Sequence, residues 1–305
     1  MKLGELSTDE TAAQLAGAGL ALETGPFAVN LRCAAPGAAA FIRLLYPEHR
    51  VATGEVVHTD VAVRPHFNRR RPWRREAQLH IDDRPLMQAL PRRFAAPMLE
   101  WGLNFAIGSR AHHLLILHAA VVEKNGRAVV MAAVSGSGKS TLCAALVSAG
   151  WRLFSDEFGL IRPADGALMP VPRPVSLKNE SIEVVRRLMP AAVISPPYHD
   201  TAKGTLAYLR PPDDAVRRQF EPAMPAWIVF PKFRAGAPLT ATPVPRAQAF
   251  ADLLANSMNY IALAERGFAA MARLVESCPA FALEYSDIPA AIAHFEGLAA
   301  GETAA

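Results

Sequence analysis

The chain has 305 residues, of which 51% are hydrophobic and 20% are charged, and its formal net charge is +4. This composition excludes a generally disordered chain and supplies enough apolar side chains for a sizeable core. The length predicts two domains, a small N-terminal α/β unit over residues 1–95 and a larger unit over residues 96–305.

Cysteine spacing and hydropathy exclude further classes of protein. Cys33, Cys143 and Cys278 lie far apart and form no CxxC pair, which argues against a zinc site or a disulfide framework. The chain soon reaches Asp9 and Glu10 instead of an apolar secretory segment, and no stretch of about 18 apolar residues is free of charge. We therefore expect a cytoplasmic protein without membrane contact.

Short strands interrupted by Pro and Gly are expected between residues 20 and 93, including one over residues 51–63. After them, apolar residues recur near the helical period over residues 97–112. The pattern predicts a helix that joins the small unit to the larger one.

Arginine is concentrated within this first part of the chain. Residues 60–93 contain nine Arg and four carboxylates, and residues 69–75 read Arg-Arg-Arg-Pro-Trp-Arg-Arg. With Trp73 as a stacking surface, this cluster could bind phosphate or an acidic peptide. A solvated loop or edge hairpin is the plainer interpretation, and nucleic-acid binding is disfavoured because it would rest on this cluster alone.

A hairpin and a helix are predicted next. The strands cover residues 114–122 and 128–132 and are joined by a turn centred on Asn125-Gly126. A helix over residues 140–148 follows, and Gly150 ends it.

The remaining predicted elements alternate between strands and helices. In chain order they are a strand at 151–154, a hairpin return at 162–171, a helix at 177–188, a long Pro-rich loop near the site at 190–212, a strand at 226–230, helices at 246–257 and 261–276, a strand at 281–285 and a helix at 288–298.

The second hairpin strand runs into a phosphate-loop sequence. The pattern G-x-x-x-x-G-K-[ST] is matched from Ala133 to Ser140, with Ala133 in place of the first Gly. Small residues let successive N–H groups point into one concavity, and the following helix directs its positive end at an anion. An ordinary Gly-Ser turn is the alternative. The expected ligand is ATP with Mg²⁺, bound by Ser135, Gly136, Ser137, Gly138, Lys139, Ser140 and Thr141.

Two further features complete a candidate site. Asp156-Glu157 ends a predicted strand only 17 residues after Lys139, where a carboxylate can hold magnesium or accept a proton from an attacking hydroxyl. Without the phosphate loop, the pair would be read as a solvated strand end. His118 lies in the strand whose hairpin partner leads into the loop, so it is a candidate site residue as well as a candidate core residue.

Three segments together resemble the catalytic core of HPr kinase/phosphorylase. They are Leu117-His118-Ala119-Ala120-Val121-Val122, Ser135-Gly136-Ser137-Gly138-Lys139-Ser140-Thr141 and Gly150-Trp151-Arg152-Leu153-Phe154-Ser155-Asp156-Glu157. The chain is more similar still to the HPr kinase-related kinases of type A, through Leu99-Glu100-Trp101-Gly102-Leu103-Asn104 and Pro172-Arg173-Pro174-Val175-Ser176-Leu177-Lys178-Asn179.

This resemblance implies an α/β (α+β) fold with the P-loop core and mixed sheet of HPr kinase and phosphoenolpyruvate carboxykinase, and it implies a serine kinase. Asp156 would be the catalytic base, with Lys139 on the phosphates and His118 beside the transferred phosphoryl group. Ser140, Asp156 and Glu157 would hold magnesium. Arg173, Lys178 and Lys203 are candidates for further phosphate or substrate contacts, with a surface role as the alternative for each.

The acceptor is left open by the sequence. The acidic pair is Asp-Glu where the family has Asp-Asp, and the family's Gly-rich signature is absent. A Ser of a peptide or small protein is the first hypothesis, since relatives include kinases of lasso-peptide precursors. There are two alternatives. One is a small-molecule kinase, and the other is a non-catalytic nucleotide-dependent binding or assembly module that docks through the arginine cluster. A homo-oligomer is also left open.

Overall fold

The computed structural model describes residues 1–52, 57, 59–134 and 136–301. The chain divides into two compact units, Met1–Arg110 with Ser195–Tyr198 and Ala111–Ile194 with His199–Ala305. Part of the strand expected over residues 51–63 lies outside the described residues, and so does Ser135 of the phosphate loop.

The first unit combines a six-stranded sheet with helices. Its elements are α1 (Thr8–Ala16), β1 (Leu20–Thr24), β2 (Phe27–Cys33), α2 (Ala38–Leu45), β3 (Thr59–His66), β4 (Glu76–Ile81), β5 (Arg84–Pro85), β6 (Leu90–Pro91) and α3 (Ala95–Arg110). The sheet order is β1-β2-β3-β4-β5, with β6 also on β4. Strands β2 and β3 are parallel, and the other pairs are antiparallel.

Helix α3 belongs to this first unit and contacts β2, β3 and β4. The helix expected over residues 97–112 is confirmed. It begins at Ala95 and ends at Arg110, two residues earlier at each end than the periodicity predicts. At Gly102 the helix passes so close to Val61 that a Cβ would overlap its side chain.

The second unit contains the other strands and α-helices, except that Tyr198 of β13 is grouped with the first unit. The strands are β7 (Leu115–Lys124), β8 (Arg127–Ala132), β9 (Arg152–Ser155), β10 (Phe158–Ile161), β11 (Leu168–Met169), β12 (Val175–Lys178), β13 (Tyr198–Thr201), β14 (Gly204–Leu209), β15 (Met224–Phe233), β16 (Thr240–Pro243) and β17 (Ala280–Tyr285). The helices are α4 (Lys139–Ser148), α5 (Glu180–Leu188), α6 (Asp213–Arg217), α7 (Arg246–Ala255), α8 (Tyr260–Leu263), α9 (Glu265–Ser277) and α10 (Ile288–Ala300).

An eight-stranded mixed sheet forms the centre of this unit. Its order is β11-β10-β7-β8-β15-β17-β16, with β9 also on β7. Strand β15 runs parallel to both β8 and β17, while β7 pairs antiparallel with β8, β9 and β10. The chain is therefore a mixed α/β protein.

Apolar cores cover both faces of this sheet. On one face Val122 and Met131 pack with Leu142 and Leu146 of α4 and Phe295 of α10. On the other face the alternate strand residues, such as Val121 and Val130, pack with helices α7 and α9. A strand buried on both faces explains why β7 and β8 read as continuous apolar runs in the sequence.

Two sequence predictions for the region after β11 are wrong in part. The helix expected from residue 177 begins at Glu180, because Val175 and Leu177 alternate with half-buried residues in β12 and pair with β14. The loop expected over residues 190–212 contains the hairpin strands β13 and β14. Prolines on both sides of that hairpin conceal it in the sequence, since Pro is a typical loop residue.

The helix expected over residues 261–276 is also interrupted. Ala264 has φ +48°, which ends α8 and starts α9. A left-handed alanine carries no signal in sequence, because Gly and Asn are the residues that favour this conformation. Among the described residues, no helix is both long enough and apolar enough to span a lipid bilayer.

A buried ion pair anchors the end of β7 where the hairpin turns into β8. The Nε atom of Arg152 lies 2.5 Å from Oε2 of Glu123, and the two side chains are 5% and 3% exposed. Arg152 also donates to the carbonyls of Arg218 and Glu221. Removing Arg152 would leave the buried Glu123 carboxylate with the Gly126 N–H and the more distant Arg218 as partners, which compensate for its charge only in part.

We predict that Arg152→Ala lowers the free energy of unfolding by about 3–5 kcal/mol, the range for breaking a buried ion pair. The matched change Arg162→Ala removes one member of the exposed pair with Asp165 and should cost less than about 1 kcal/mol. Urea unfolding followed by circular dichroism measures both values. Similar losses in the two variants would contradict the structural importance of the buried pair.

Candidate functional site

The described residues between β8 and α4 have backbone features that a phosphate loop requires. Gly136 and Gly138 have φ +89° and +90°. Residues with a Cβ rarely adopt these values, because the backbone would be strained. Ala133, where the sequence pattern has Gly, is not among the residues with positive φ, so its methyl group is tolerated there. Helix α4 begins at Lys139 directly after Gly138, and its N-terminal end faces the loop.

The ends of β15 and β17 hold the loop in place. The N–H of Phe233 donates to the carbonyl of Ser137 at 2.9 Å, and the Tyr285 hydroxyl donates to the carbonyl of Gly138 at 3.3 Å. A Cβ at Gly138 would lie 2.9 Å from both the Phe233 Cβ and the Tyr285 oxygen. Any residue but glycine would therefore push the loop off these strands.

Lys139 is a buried cation that has no bonded anion. Its side chain is 7% exposed, and within the described part of the chain its Nζ has no hydrogen-bond partner. Burial lowers the pKa of Lys139, and the carboxylates of Asp156 and Glu157 oppose that shift. A buried ammonium without a partner is costly, so this position fits a residue that awaits an anionic ligand.

Asp156 and Glu157 lie at a bend between β9 and β10, which follow one another along β7. The Ser155 hydroxyl oxygen accepts the N–H groups of Glu157 and Phe158 at 3.1 and 2.9 Å and so stabilises the bend. The bend directs both carboxylates towards Lys139, whose pKa they influence.

The two carboxylates have opposite electrostatic environments. Burial, together with the charge of Glu157, raises the pKa of Asp156 to about 6, against the opposing effects of Lys139 and of hydrogen bonding with Ser140. Asp156 Oδ2 accepts a long 3.4 Å bond from the Ser176 N–H, and Oδ1 has no partner among the described residues. Burial also raises the pKa of Glu157, but hydrogen bonding with His118 and the charge of Lys139 outweigh it and bring that pKa to about 2.

His118 lies on the sheet face that carries α4. Its neighbours Leu117 and Ala119 belong to the core on the α7 and α9 side, whereas Ala120 packs with α4, so strand alternation directs His118 towards α4. Its Nε2 lies 3.2 Å from Oε2 of Glu157, and its backbone N–H donates to the Asn256 carbonyl at 2.7 Å. The pairing along β7 thus brings His118 to the acidic pair, as the order of motifs suggests.

A cavity of about 470 Å³ is lined by Lys139, Glu157 and His118 but not by Asp156. It is lined by residues of the loop and of α4, by His118 and Glu157, and by side chains from the β12–β14 sheet. Lys178 and Lys203, two of the three basic residues proposed as extra contacts, line this cavity. Arg173 does not line it: its side chain is buried, and its guanidinium lies 5.7 Å from the centre of the Phe158 ring.

Asn179 connects the two lysines that face the phosphate loop. It adopts φ +52°, and its side chain accepts the Thr205 N–H at 3.0 Å and donates to the Lys203 carbonyl at 3.4 Å. Gly204 has φ +83° and lies so close to Asn179 that a Cβ there would overlap the amide. The turn that carries Lys203 is therefore fixed to the end of β12 that carries Lys178.

Sequence reasoning missed several residues of the site. Ser176, Asn179 and Ser181 line the cavity, and Phe233 and Tyr285 hold the loop. Ser176 and Asn179 both lie in a segment on which the family resemblance rests. That resemblance is therefore a usable signal for these two residues. Nothing in the local sequence identifies Phe233 or Tyr285, because their contact with the loop depends on the order of strands in the sheet.

Comparison with known proteins finds a family that matches part of the chain. Residues 99–175 match the family described as SynChlorMet cassette protein ScmC, which is about a quarter of the chain. This part includes His118, the phosphate loop and the acidic pair. No curated protein matches the chain.

The buried charge of Asp156 predicts a measurable pH dependence of stability. A carboxylate whose pKa rises to about 6 on folding favours the folded state below about pH 4, and this contribution is lost as the pH rises through about 6. Asp156→Asn removes the charge and should raise the free energy of unfolding at pH 8 by roughly 1–3 kcal/mol, with the gain shrinking towards pH 4. Urea titrations of the nucleotide-free protein at both pH values measure it.

Asp165→Asn is the matched control with the opposite sign. Hydrogen bonding to Arg162 holds the pKa of Asp165 at about 2, so its charge favours the folded state above about pH 4. This variant should be slightly less stable than the parent at pH 8. If Asp156→Asn also lost stability at pH 8, the carboxylate would not be held in an unfavourable environment.

Proposed function

We propose that the second unit binds ATP with magnesium and transfers the γ-phosphoryl group to a Ser hydroxyl of a peptide or small protein. The observation that carries the proposal is the unpartnered ammonium of Lys139 at the start of α4, whose charge interacts with the carboxylates of Asp156 and Glu157. Lys139 and Glu157 line a cavity of about 470 Å³, and Asp156 is buried beside Glu157 without lining it. The combination of left-handed glycines, a buried cation and two carboxylates fits phosphoryl transfer, in which positioning and charge neutralisation account for most of the catalysis.

The fold supports the same assignment. The order of elements, from β7 with His118 through β8, the phosphate loop and α4 to the bend with Asp156 and Glu157, matches the order of motifs that resembles the HPr kinase-related kinases. We therefore propose that this unit has a P-loop core of the HPr kinase and phosphoenolpyruvate carboxykinase type. A kinase of this kind is expected in the cytoplasm.

The proposed roles follow from where each group lies. The loop amides, among them those of Gly136, Ser137 and Gly138, and Lys139 would bind the β- and γ-phosphates. Thr141 also lines the cavity at the first turn of α4. Asp156, ionised above a pKa of about 6, would accept the proton of the attacking hydroxyl at neutral pH.

The donor set also fits a magnesium ion. Ser140, Asp156 and Glu157 are oxygen ligands close to one another, and Asp156 Oδ1 has no hydrogen-bond partner within the described residues. No group of three or more His, Cys, Asp or Glu side chains in the described residues is arranged to hold a metal by itself. Magnesium commonly combines one or two carboxylates with substrate phosphates and water, and when bound here it would neutralise phosphate charge.

His118 and the two lysines have supporting roles in this proposal. His118 bonds to Glu157 and lies at the edge of the cavity, so it orients that carboxylate beside the transferred group. Lys178 and Lys203 approach the cavity from the β12–β14 sheet, where they would bind phosphate or an anionic part of the acceptor.

The first test separates binding from transfer. Lys139→Ala should weaken ATP binding at least tenfold and abolish transfer, whereas Asp156→Asn should bind ATP within about threefold of the parent and lose at least about a hundredfold in transfer. Calorimetry with ATP and Mg²⁺ measures binding, and labelled ATP measures transfer. Lys124→Ala is the control, since this lysine lies at the opposite end of β7 and pairs with Glu296. Full transfer by Asp156→Asn would rule out its role as base.

The acceptor is tested with separate pools of peptides and metabolites. We expect labelled phosphate on the peptide pool, with Ser as the modified residue. Because the matching family is described by its cassette, products of neighbouring genes are the first peptides to include. Label on a metabolite would make the protein a small-molecule kinase. ATP binding without turnover in any pool would favour the nucleotide-dependent binding module.

A further inference from the structure

The β3–β4 hairpin of the first unit ends in a loop rich in arginine. His66 pairs with Glu76, so residues 67–75 form the tip of this hairpin. This segment, here called the arginine tip, contains Phe67, Trp73 and five exposed arginines, which are Arg69, Arg70, Arg71, Arg74 and Arg75.

Backbone and side-chain bonds give the tip a defined shape. Asn68 accepts the Arg70 N–H through its side chain at 3.1 Å and the Arg71 N–H through its carbonyl at 3.0 Å. The Arg74 N–H then donates to the Arg71 carbonyl at 2.9 Å. These consecutive turns direct the guanidinium groups into solvent. The Arg92 N–H donates to the Arg75 carbonyl at 2.9 Å, which adds a sixth arginine at the base of the tip.

The tip arginines differ from three other arginines of the first unit, two on the sheet and one at the end of α3. Arg32, Arg64 and Arg110 each contact a carboxylate, namely Asp60, Asp83 and Asp82. None of the five tip arginines has a carboxylate partner among the described residues of the chain. These three arginines are paired with carboxylates of the same unit, whereas the tip presents five guanidinium groups together without such partners.

Two aromatic side chains stand among these charges. Phe67 is 70% exposed and Trp73 is 76% exposed, values that are unusual for large apolar residues. Arg and Trp are the residue types most enriched among those that dominate binding energy at protein interfaces. A solvated loop has no need of either aromatic ring.

We propose that the arginine tip is a docking surface for an acidic peptide segment of a partner protein. Guanidinium groups bind carboxylates in a bidentate manner, and Trp73 and Phe67 would cover apolar residues between the acidic ones. The charge distribution favours a peptide over nucleic acid. Without the five tip arginines, residues 1–110 carry nine basic and eleven acidic residues, so the positive surface does not continue as a track for a phosphate backbone. The proposal does not depend on the transfer reaction.

The test uses the full chain and a fluorescein-labelled 12-residue peptide in which Glu alternates with Ala, without nucleotide. Fluorescence anisotropy should detect binding that weakens with added salt, and the same peptide with Gln for Glu should not bind. The triple variant Arg70→Ala, Arg71→Ala and Arg74→Ala should lose at least tenfold in affinity. The charge-matched control is Arg162→Ala, Arg186→Ala and Arg217→Ala, which removes three exposed arginines from carboxylate pairs in the second unit and should stay within about twofold.

The fluorescence of Trp73 provides a second measurement, whose result a general charge effect would not change. The peptide should protect Trp73 from acrylamide quenching, and Trp73→Phe should remove that signal. Equal binding by the two triple variants, or no binding of the Glu peptide by the parent, would overturn the proposal. It would also be overturned if a 12-nucleotide single strand of thymidines bound more tightly than the Glu peptide and lost affinity in the tip variant, because the surface would then be one for nucleic acid.

Discussion

The ammonium group of Lys139 is buried at the start of α4 with no hydrogen-bond partner among the described residues, and the rest of the second unit is arranged around it. Asp156 and Glu157 lower the cost of this buried cation without forming a bond to its Nζ atom. The same arrangement raises the pKa of Asp156 and lowers that of Glu157, so one electrostatic environment gives two neighbouring carboxylates different properties. A buried ammonium without a bonded partner lowers the stability of the folded state.

Three separate elements maintain that arrangement. Strand β7 positions His118, the Ser155 hydroxyl fixes the bend that carries the carboxylates, and the ends of β15 and β17 hold the phosphate loop. Across the cavity, the strained Asn179 and the adjacent Gly204 fix Lys178 and Lys203 relative to one another. Backbone strain of this kind is commonly found at functional sites, where the surrounding structure compensates for it.

The sequence predicts what local chemistry determines. The hairpin before the phosphate loop, helices α3, α4 and α10, and the grouping of His118 with Glu157 all follow from periodicity, turn residues and motif order. The β13–β14 hairpin and the break at Ala264 do not follow from the sequence, because prolines conceal short strands and an alanine with positive φ has no signature. Phe233 and Tyr285 could not be predicted as loop contacts, since only the strand order brings them to Gly138.

That strand order has a consequence for the synthesis of the chain. Strand β8, which leads into the phosphate loop, has β15 as its parallel neighbour, and the Tyr285 hydroxyl that meets Gly138 comes 147 residues later. Contacts so distant in sequence form slowly and only after the intervening chain has been made. When the phosphate loop of a nascent chain emerges from the ribosome, the ends of β15 and β17 that hold it have therefore not yet been made. The contact that holds Gly138 against the end of β17 therefore forms only after the 147 residues that follow this glycine have been made.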